Sequence, residues 1–146
     1  MKTMVTFTGA TLIGFHAMAY LTEHPEQFCT IKEISNVINA SKHHLAKVVL
    51  YLSKEGLLTT ETGPAGGIKL SKPPGEITMM DIFVAIEGSS MSEECVFGKK
   101  NCNWELCRFP NFREKIITAI NEYLTTTHLS DLKFTKPIPA PVTTAS

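Results

Sequence analysis

Long apolar runs are missing from this 146-residue chain. No stretch reaches the ~18 consecutive apolar residues that a membrane-spanning helix requires, so no segment is expected to cross a bilayer. Arginine is absent before Arg108, which leaves most of the chain without the guanidinium fork that pairs bidentately with a guanine edge. Repeats with a period of ~20–50 residues are also absent, excluding a solenoid or propeller. No Ser/His/Asp, Walker, dinucleotide-binding or paired-carboxylate constellation occurs, and the histidines lie apart except for His43-His44, so an enzyme is not expected. An excess of one charge is missing too: 14 Lys+Arg face 14 Asp+Glu. Spread evenly, that balance would argue against a nucleic-acid binder.

The charge is not spread evenly. Residues 1–75 carry seven Lys against five Asp+Glu, and residues 76–146 seven Lys+Arg against nine Asp+Glu, balances of +2 and −2. Within residues 41–75 the balance is +3, from Lys42, Lys47, Lys54, Lys69 and Lys72 against Glu55 and Glu61, with His43 and His44 alongside. A local basic field is therefore available to a polyanion.

What is present reads as one domain mostly made of helices. A chain of this length buries roughly 70% of its unfolded surface and needs no disulfide to hold a core. Lys2, the apolar run from Ala10 to Leu21 and the triplet Ala17-Met18-Ala19 mimic a signal peptide with its cleavage site. Helical spacing gives the better account: Ala10, Ile13, Ala17 and Leu21 share one face of a core helix that stops at His24-Pro25. The expected location is then cytoplasmic, with reduced cysteines.

Thr30-Ile31-Lys32-Glu33 is a capping box that opens a helix, with Ile31, Ile34, Val37 and Ile38 at helical period. Asn39-Ala40-Ser41 breaks it, and Ser41 is placed to cap a second helix carrying Leu45, Val48, Val49 and Leu52 inward as far as Gly56. Two helices of about eight and thirteen residues with a short break are the dimensions of a helix-turn-helix. Leu57-Leu58-Thr59-Thr60 and Ile68-Lys69-Leu70-Ser71 flank Gly63-Pro64-Ala65-Gly66-Gly67, the pattern of a β-hairpin wing. The predicted fold is mainly α with a small β-hairpin wing: a winged helix-turn-helix plus a long C-terminal dimerisation helix.

In such a module the start of the second helix enters the major groove, so Ser41, Lys42, His43, His44 and Lys47 are the candidates to touch DNA. Gly66, Gly67 and Lys69 are the candidates in the wing, since glycine lets a hairpin approach a phosphate backbone. A solvated helix start and a plain surface turn are the ordinary alternatives. With no arginine available, base readout rests on His, Lys, Ser and Thr or on DNA shape.

Beyond the wing, residues 76–86 are expected to form a short helix with Met79, Ile82, Phe83 and Ile86 inward. Cys95, Cys102 and Cys107 then fall in one polar loop, separated by six and four residues. Three cysteines in such a loop suggest a ligand or redox role. Zinc sites favour pairs separated by two to four residues, whereas longer, uneven gaps suit an iron-sulfur cluster, whose irons are approached from different sides. Cys29, alone before the capping box, reads as a small apolar residue at the core edge. Pro110 opens a final helix whose stripe of Phe112, Ile116, Ile117, Ile120, Tyr123 and Leu124 exceeds what its own chain can cover, so it is expected to pack on a second subunit. Thr125-Thr126-Thr127 is expected to interrupt it, and the uncharged, proline-rich tail is expected to be disordered.

The order of elements, together with His44-Leu45-Ala46-Lys47-Val48, the segment from Gly66 to Pro73, the three-cysteine loop and His128-Leu129-Ser130-Asp131-Leu132, resembles the IscR/NsrR/RirA family of bacterial regulators. The Gly66 to Pro73 segment is most similar to the NsrR branch. The resemblance implies a homodimer that binds double-stranded operator DNA and holds a [4Fe-4S] or [2Fe-2S] cluster on Cys95, Cys102 and Cys107. It implies three parts: a DNA-binding domain at 1–75, a sensor loop (89–109) with a dimerisation helix within 76–134, and a tail at 135–146. In the family a fourth ligand is a histidine three residues after the last cysteine, where Pro110 stands here, or an acidic residue near the first helix, where Thr8 aligns. Water, Thr8, Glu93, Glu94 and a histidine such as His16 of the partner subunit stay open for that role. The wing carries Thr62 where the family has arginine before the glycines. The expected function is a transcription regulator gated by the cluster and sensing redox state or nitric oxide; the alternative is a metal-free thiol-disulfide sensor on the same DNA-binding dimer.

Overall fold

The computed structural model describes residues 7–88 and 104–132. Five helices and one hairpin make up this part: α1 (Gly9–Thr22), α2 (Ile31–Ile38), α3 (Lys42–Lys54), β1 (Leu58–Glu61), β2 (Gly67–Leu70), α4 (Met79–Glu87) and α5 (Pro110–Thr126), with single 3₁₀ turns at Pro74–Glu76, Trp104–Leu106 and Leu129–Asp131. The winged-helix architecture expected from the sequence is present. No helix among the described residues is long and apolar enough to cross a membrane.

Local chemistry sets the boundaries. The Thr30 hydroxyl accepts from the Glu33 amide at 3.1 Å while the Glu33 carboxylate accepts from the Thr30 amide at 3.0 Å, the reciprocal pair read from the sequence. Asn39 ends α2 in the left-handed region at φ 53°, a conformation its short polar side chain tolerates. Two residues later the Ser41 hydroxyl caps α3 through the His44 amide. Leu45, Val48, Val49 and Leu52 of α3 are all buried, each stabilising the fold by roughly 1.5–3 kcal/mol relative to exposure.

One helix face and two boundaries differ from the sequence reading. The inward face of α1 is Thr11, Gly14, Met18 and Leu21 together with Ala17 and Tyr20, whereas Ala10 and Ile13 are half-buried. A small glycine at position 14 admits close neighbours: a Cβ there would strike Ile86 Cδ1 of α4 and approach both Ile82 and Val48 at 3.5 Å. Helix α4 starts at Met79 and not at Glu76, because Thr78 and Asp81 form a second reciprocal cap and a 3₁₀ turn occupies Pro74–Glu76. Helix α5 continues through Thr125 and Thr126, whose hydroxyls donate 2.7 Å bonds to the carbonyls of Asn121 and Glu122 one turn back. That back-bonding satisfies the threonine side chains inside the helix, so they do not break it.

The chain closes on itself twice through backbone pairs. Cys29 and Ile68 exchange bonds of 2.9 and 2.8 Å, tying the segment before α2 to the second wing strand. Met79 donates to Thr127 and Leu129 donates to Ile77, both at 2.9 Å, so the chain leaving α5 pairs with the chain entering α4. Leu124 and Leu129 are buried there. The rest of the α5 stripe is not: Phe112 and Tyr123 are exposed, and Ile116, Ile117 and Ile120 are only half-buried.

Gly67 sits at φ 150°, and a Cβ on it would come within 2.5 Å of the Cys29 carbonyl oxygen. Because that neighbour is backbone, it cannot swing aside. Gly67→Ala is expected to break the Cys29–Ile68 pair and lower stability by about 1–3 kcal/mol in urea unfolding.

Candidate nucleic-acid interface and cysteine site

The helix-turn-helix presents its polar face as a continuous surface. Ser41, Lys42, His43, His44 and Lys47 are all exposed, with the His43 and His44 ring centroids 6.1 Å apart. Because the opposite side of α3 is wholly apolar, the burial of Leu45, Val48, Val49 and Leu52 turns these polar side chains outward. Four positions, His43, Lys47, Leu50 and Lys54, fall within about 60° of arc directly opposite the core. None of the pairs on this face is an acid, so its charge is positive.

The wing residues are arranged differently. Gly66 and Gly67 are half-buried, and both are hemmed in by the chain's own backbone: a Cβ at Gly66 would meet the Glu61 carbonyl, and one at Gly67 the Cys29 carbonyl. Gly66 thus serves the packing of the hairpin itself, and Gly67 its docking on the segment before α2. The exposed tip is Thr62, Gly63, Pro64 and Ala65. Lys69 is half-buried, with its ammonium 4.8 Å from the centroid of the Phe28 ring, a cation–π contact that draws the charge toward the segment before α2.

Of the cysteines, Cys95 and Cys102 lie outside the described residues, as do Glu93 and Glu94. Cys107 is half-buried between the 3₁₀ turn and Pro110 at the start of α5, and its neighbours Leu106 and Phe109 are 76% and 59% exposed. This position is far less enclosed than a core cysteine. Cys29 is the opposite case: it is 1% exposed, and burial, then the nearby Glu33 carboxylate, push its thiol above the ordinary cysteine range. It stays protonated at neutral pH and is a poor ligand or nucleophile. The core-edge role expected of it holds. Among the described residues, His, Cys, Asp and Glu form no group of three able to hold a metal, so a metal site here needs donors from the segment 89–103.

Thr8, the position left open as a fourth ligand, is the N-cap of α1 and accepts the Thr11 amide at 3.2 Å. Its hydroxyl and that of Thr11 both donate to the carboxylate of Glu87. Glu87 ends α4 and stands two residues before the segment 89–103. No sequence motif pointed to it, because its partners lie more than seventy residues away. Since Thr11 is fully buried, the carboxylate satisfies a hydroxyl that has no access to water. His16, the other candidate on α1, is exposed.

Comparison with known proteins places these features. A family model for Rrf2, described as "Iron-dependent Transcriptional regulator", matches residues 7–134. The chain is similar to CymR (YrzC), the global cysteine regulator of B. subtilis, at 27% identity and a TM-score of 0.70, over 87% of this chain and 95% of that one. It is similar to T. potens IscR at 26% identity and a TM-score of 0.68, over 87% and 85%. The oxidized form of Staphylococcus aureus CymR shares the fold at 24% identity and a TM-score of 0.68, over 90% and 99%. Helix, turn, helix, wing and returning C-terminal helix are thus those of the Rrf2 family, to which this chain belongs as a DNA-binding transcription regulator.

Proposed function

We propose that this chain is a homodimeric regulator of the NsrR type, whose grip on operator DNA is set by an iron-sulfur cluster held on Cys95, Cys102 and Cys107 and altered by nitric oxide or by redox state. The observation that carries the reading is the position of the cysteine segment: it lies in the chain between α4, which is tied to α1 through Glu87, and α5, whose apolar stripe is only partly covered. Cys107 fits as a ligand because it is only half-buried and lies just before α5. The cluster, when bound, supplies reactivity toward small oxidants and nitric oxide at an iron not fully ligated by thiolate.

The chain's own residues do the rest. On this reading Lys42, Lys47 and Lys54 neutralise phosphates, the His43-His44 pair and Ser41 lie along the groove, and the wing tip approaches the backbone beside it. Phe112, Ile116 and Tyr123, with exposed Leu12 of α1, form the face on which a second subunit packs. The dimer is needed because a balance of +3 over residues 41–75 is modest, and two modules spaced by one DNA turn double the contacts. Glu87 couples the two functions. A change in the segment after Gly88 pulls on the α4 end, on Thr8 and Thr11, and so on α1, which packs against α3 around Gly14. A difference of about 1–3 kcal/mol between the two states is sufficient for a regulatory switch.

The metal-free alternative rests on one observation, the Cys107 thiol, which is only half-buried and so open in part to an oxidant. The two readings separate cleanly. Protein prepared without oxygen is expected to be coloured and to contain iron and acid-labile sulfide, and Cys107→Ser to lose most of both. A colourless, sulfide-free protein that nevertheless gains a disulfide on oxidation would establish the alternative. In either case iodoacetamide at neutral pH is expected to label Cys29 at least about tenfold more slowly than Cys107 in metal-free, reduced protein, the difference vanishing in denaturant. For the coupling, Glu87→Leu is expected to bind duplex DNA but to lose the affinity difference between untreated and nitric-oxide-treated protein, which should fall below about twofold, while Glu87→Gln, keeping an acceptor, retains most of it.

A further inference from the structure

The outward stripe of α3 contains one side chain that neither the fold nor phosphate binding explains. Leu50 is 65% exposed. It lies three residues after Lys47 and four before Lys54, on the line opposite the buried leucines and valines, with Tyr51 beside it at 42% exposure. A single exposed leucine is ordinary on a protein surface. This one stands in the middle of a row of cations, on the helix whose polar face is the proposed DNA contact, where a longer polar side chain would serve phosphates better.

We propose that Leu50 is a base-reading residue that packs against the 5-methyl group of thymine in the major groove. The assignment rests on α3 lying in that groove, as proposed above. The chemistry favours it. The thymine methyl is the only apolar group that the major groove displays, and aliphatic side chains read it by contact. Two turns beyond the Ser41 cap, Leu50 is still on the stripe that starts at His43, so a helix laid along the groove carries it toward base edges while Lys47 and Lys54 reach the flanking phosphates. Arginine, the usual reader of guanine, is absent from residues 1–107. A preference for thymine at defined positions is then a specificity this surface can supply without hydrogen bonding to guanine.

The test enriches tight-binding duplexes from a random pool with the full-length protein, then replaces each thymine of the best duplex, one at a time, by deoxyuridine. That change removes the methyl and leaves every hydrogen-bonding group in place. At one thymine in each half-site, deoxyuridine is expected to weaken wild-type binding about fourfold, the worth of one buried methyl, and to have no further effect on Leu50→Ala. Leu50→Lys, which keeps the exposed position and adds charge, is expected to bind phosphates as well or better while losing the thymine preference. Equal deoxyuridine penalties in wild type and Leu50→Ala, or none at any thymine, would overturn the assignment with the groove reading intact. Failure of His43→Ala and Lys47→Ala to weaken binding would instead remove the groove reading beneath it. A change in subunit association with Leu50→Ala, without change in base preference, would show that a second copy of the chain covers this leucine.

Discussion

Gly14 fixes how closely three helices approach. It gives α1 no side chain at the point where Ile86 and Ile82 of α4 and Val48 of α3 converge. Interiors are packed like crystals, so such a contact is bistable rather than soft: a small displacement of one helix must be matched by the others or leave a void. Helix α3 and the helix that leads into the cysteine segment therefore share α1 as a neighbour, and the position of α1 is a property of both.

The fold was largely legible in the sequence because its signals are local. The Thr30 capping box, the Ser41 cap, the period of Leu45, Val48, Val49 and Leu52, and the turn chemistry from Gly63 to Gly67 each act within a few residues, and each element appears where they place it. The misread boundaries came from competing local signals. Thr78 was a better cap than the acidic start at Glu76, and the threonines closing α5 bond back into the helix. The face of α1 was misjudged because the helix is apolar on nearly every side, so periodicity could not say which stripe the tertiary structure would select. Contacts between distant segments left no trace at all. Glu87 reaching Thr8 and Thr11, Lys69 resting on Phe28, and the Cys29–Ile68 pair join segments whose proximity only the folded chain creates.

The site was legible in its residue types more than in their roles. Polar α3 residues are exposed as expected, and Gly66 and Gly67 also meet a second demand: Gly66 has no room for a Cβ against Glu61 of the hairpin, nor Gly67 against Cys29 before α2. The same residue type met two constraints, backbone approach from within and room for a ligand from without, and a sequence pattern does not distinguish them. Cys29 and Cys107 make the converse point. Their identical thiols are separated by burial and by a nearby carboxylate into an inert position and a half-buried one.

Helix α5 is buried at one end. Leu124 and Leu129 are buried and the chain beyond the helix pairs with the entry to α4, whereas Phe112 near the other end is partly exposed to solvent. Seventeen residues of helix span roughly 25 Å. Such a helix is a lever with its fulcrum at the buried leucines: a tilt of about 5° there moves the end beside Cys107 by roughly 2 Å. Under the function proposed above, chemistry confined to a few atoms at that end would be converted into an angle at the other, close to the root of α4 and the core that carries α3.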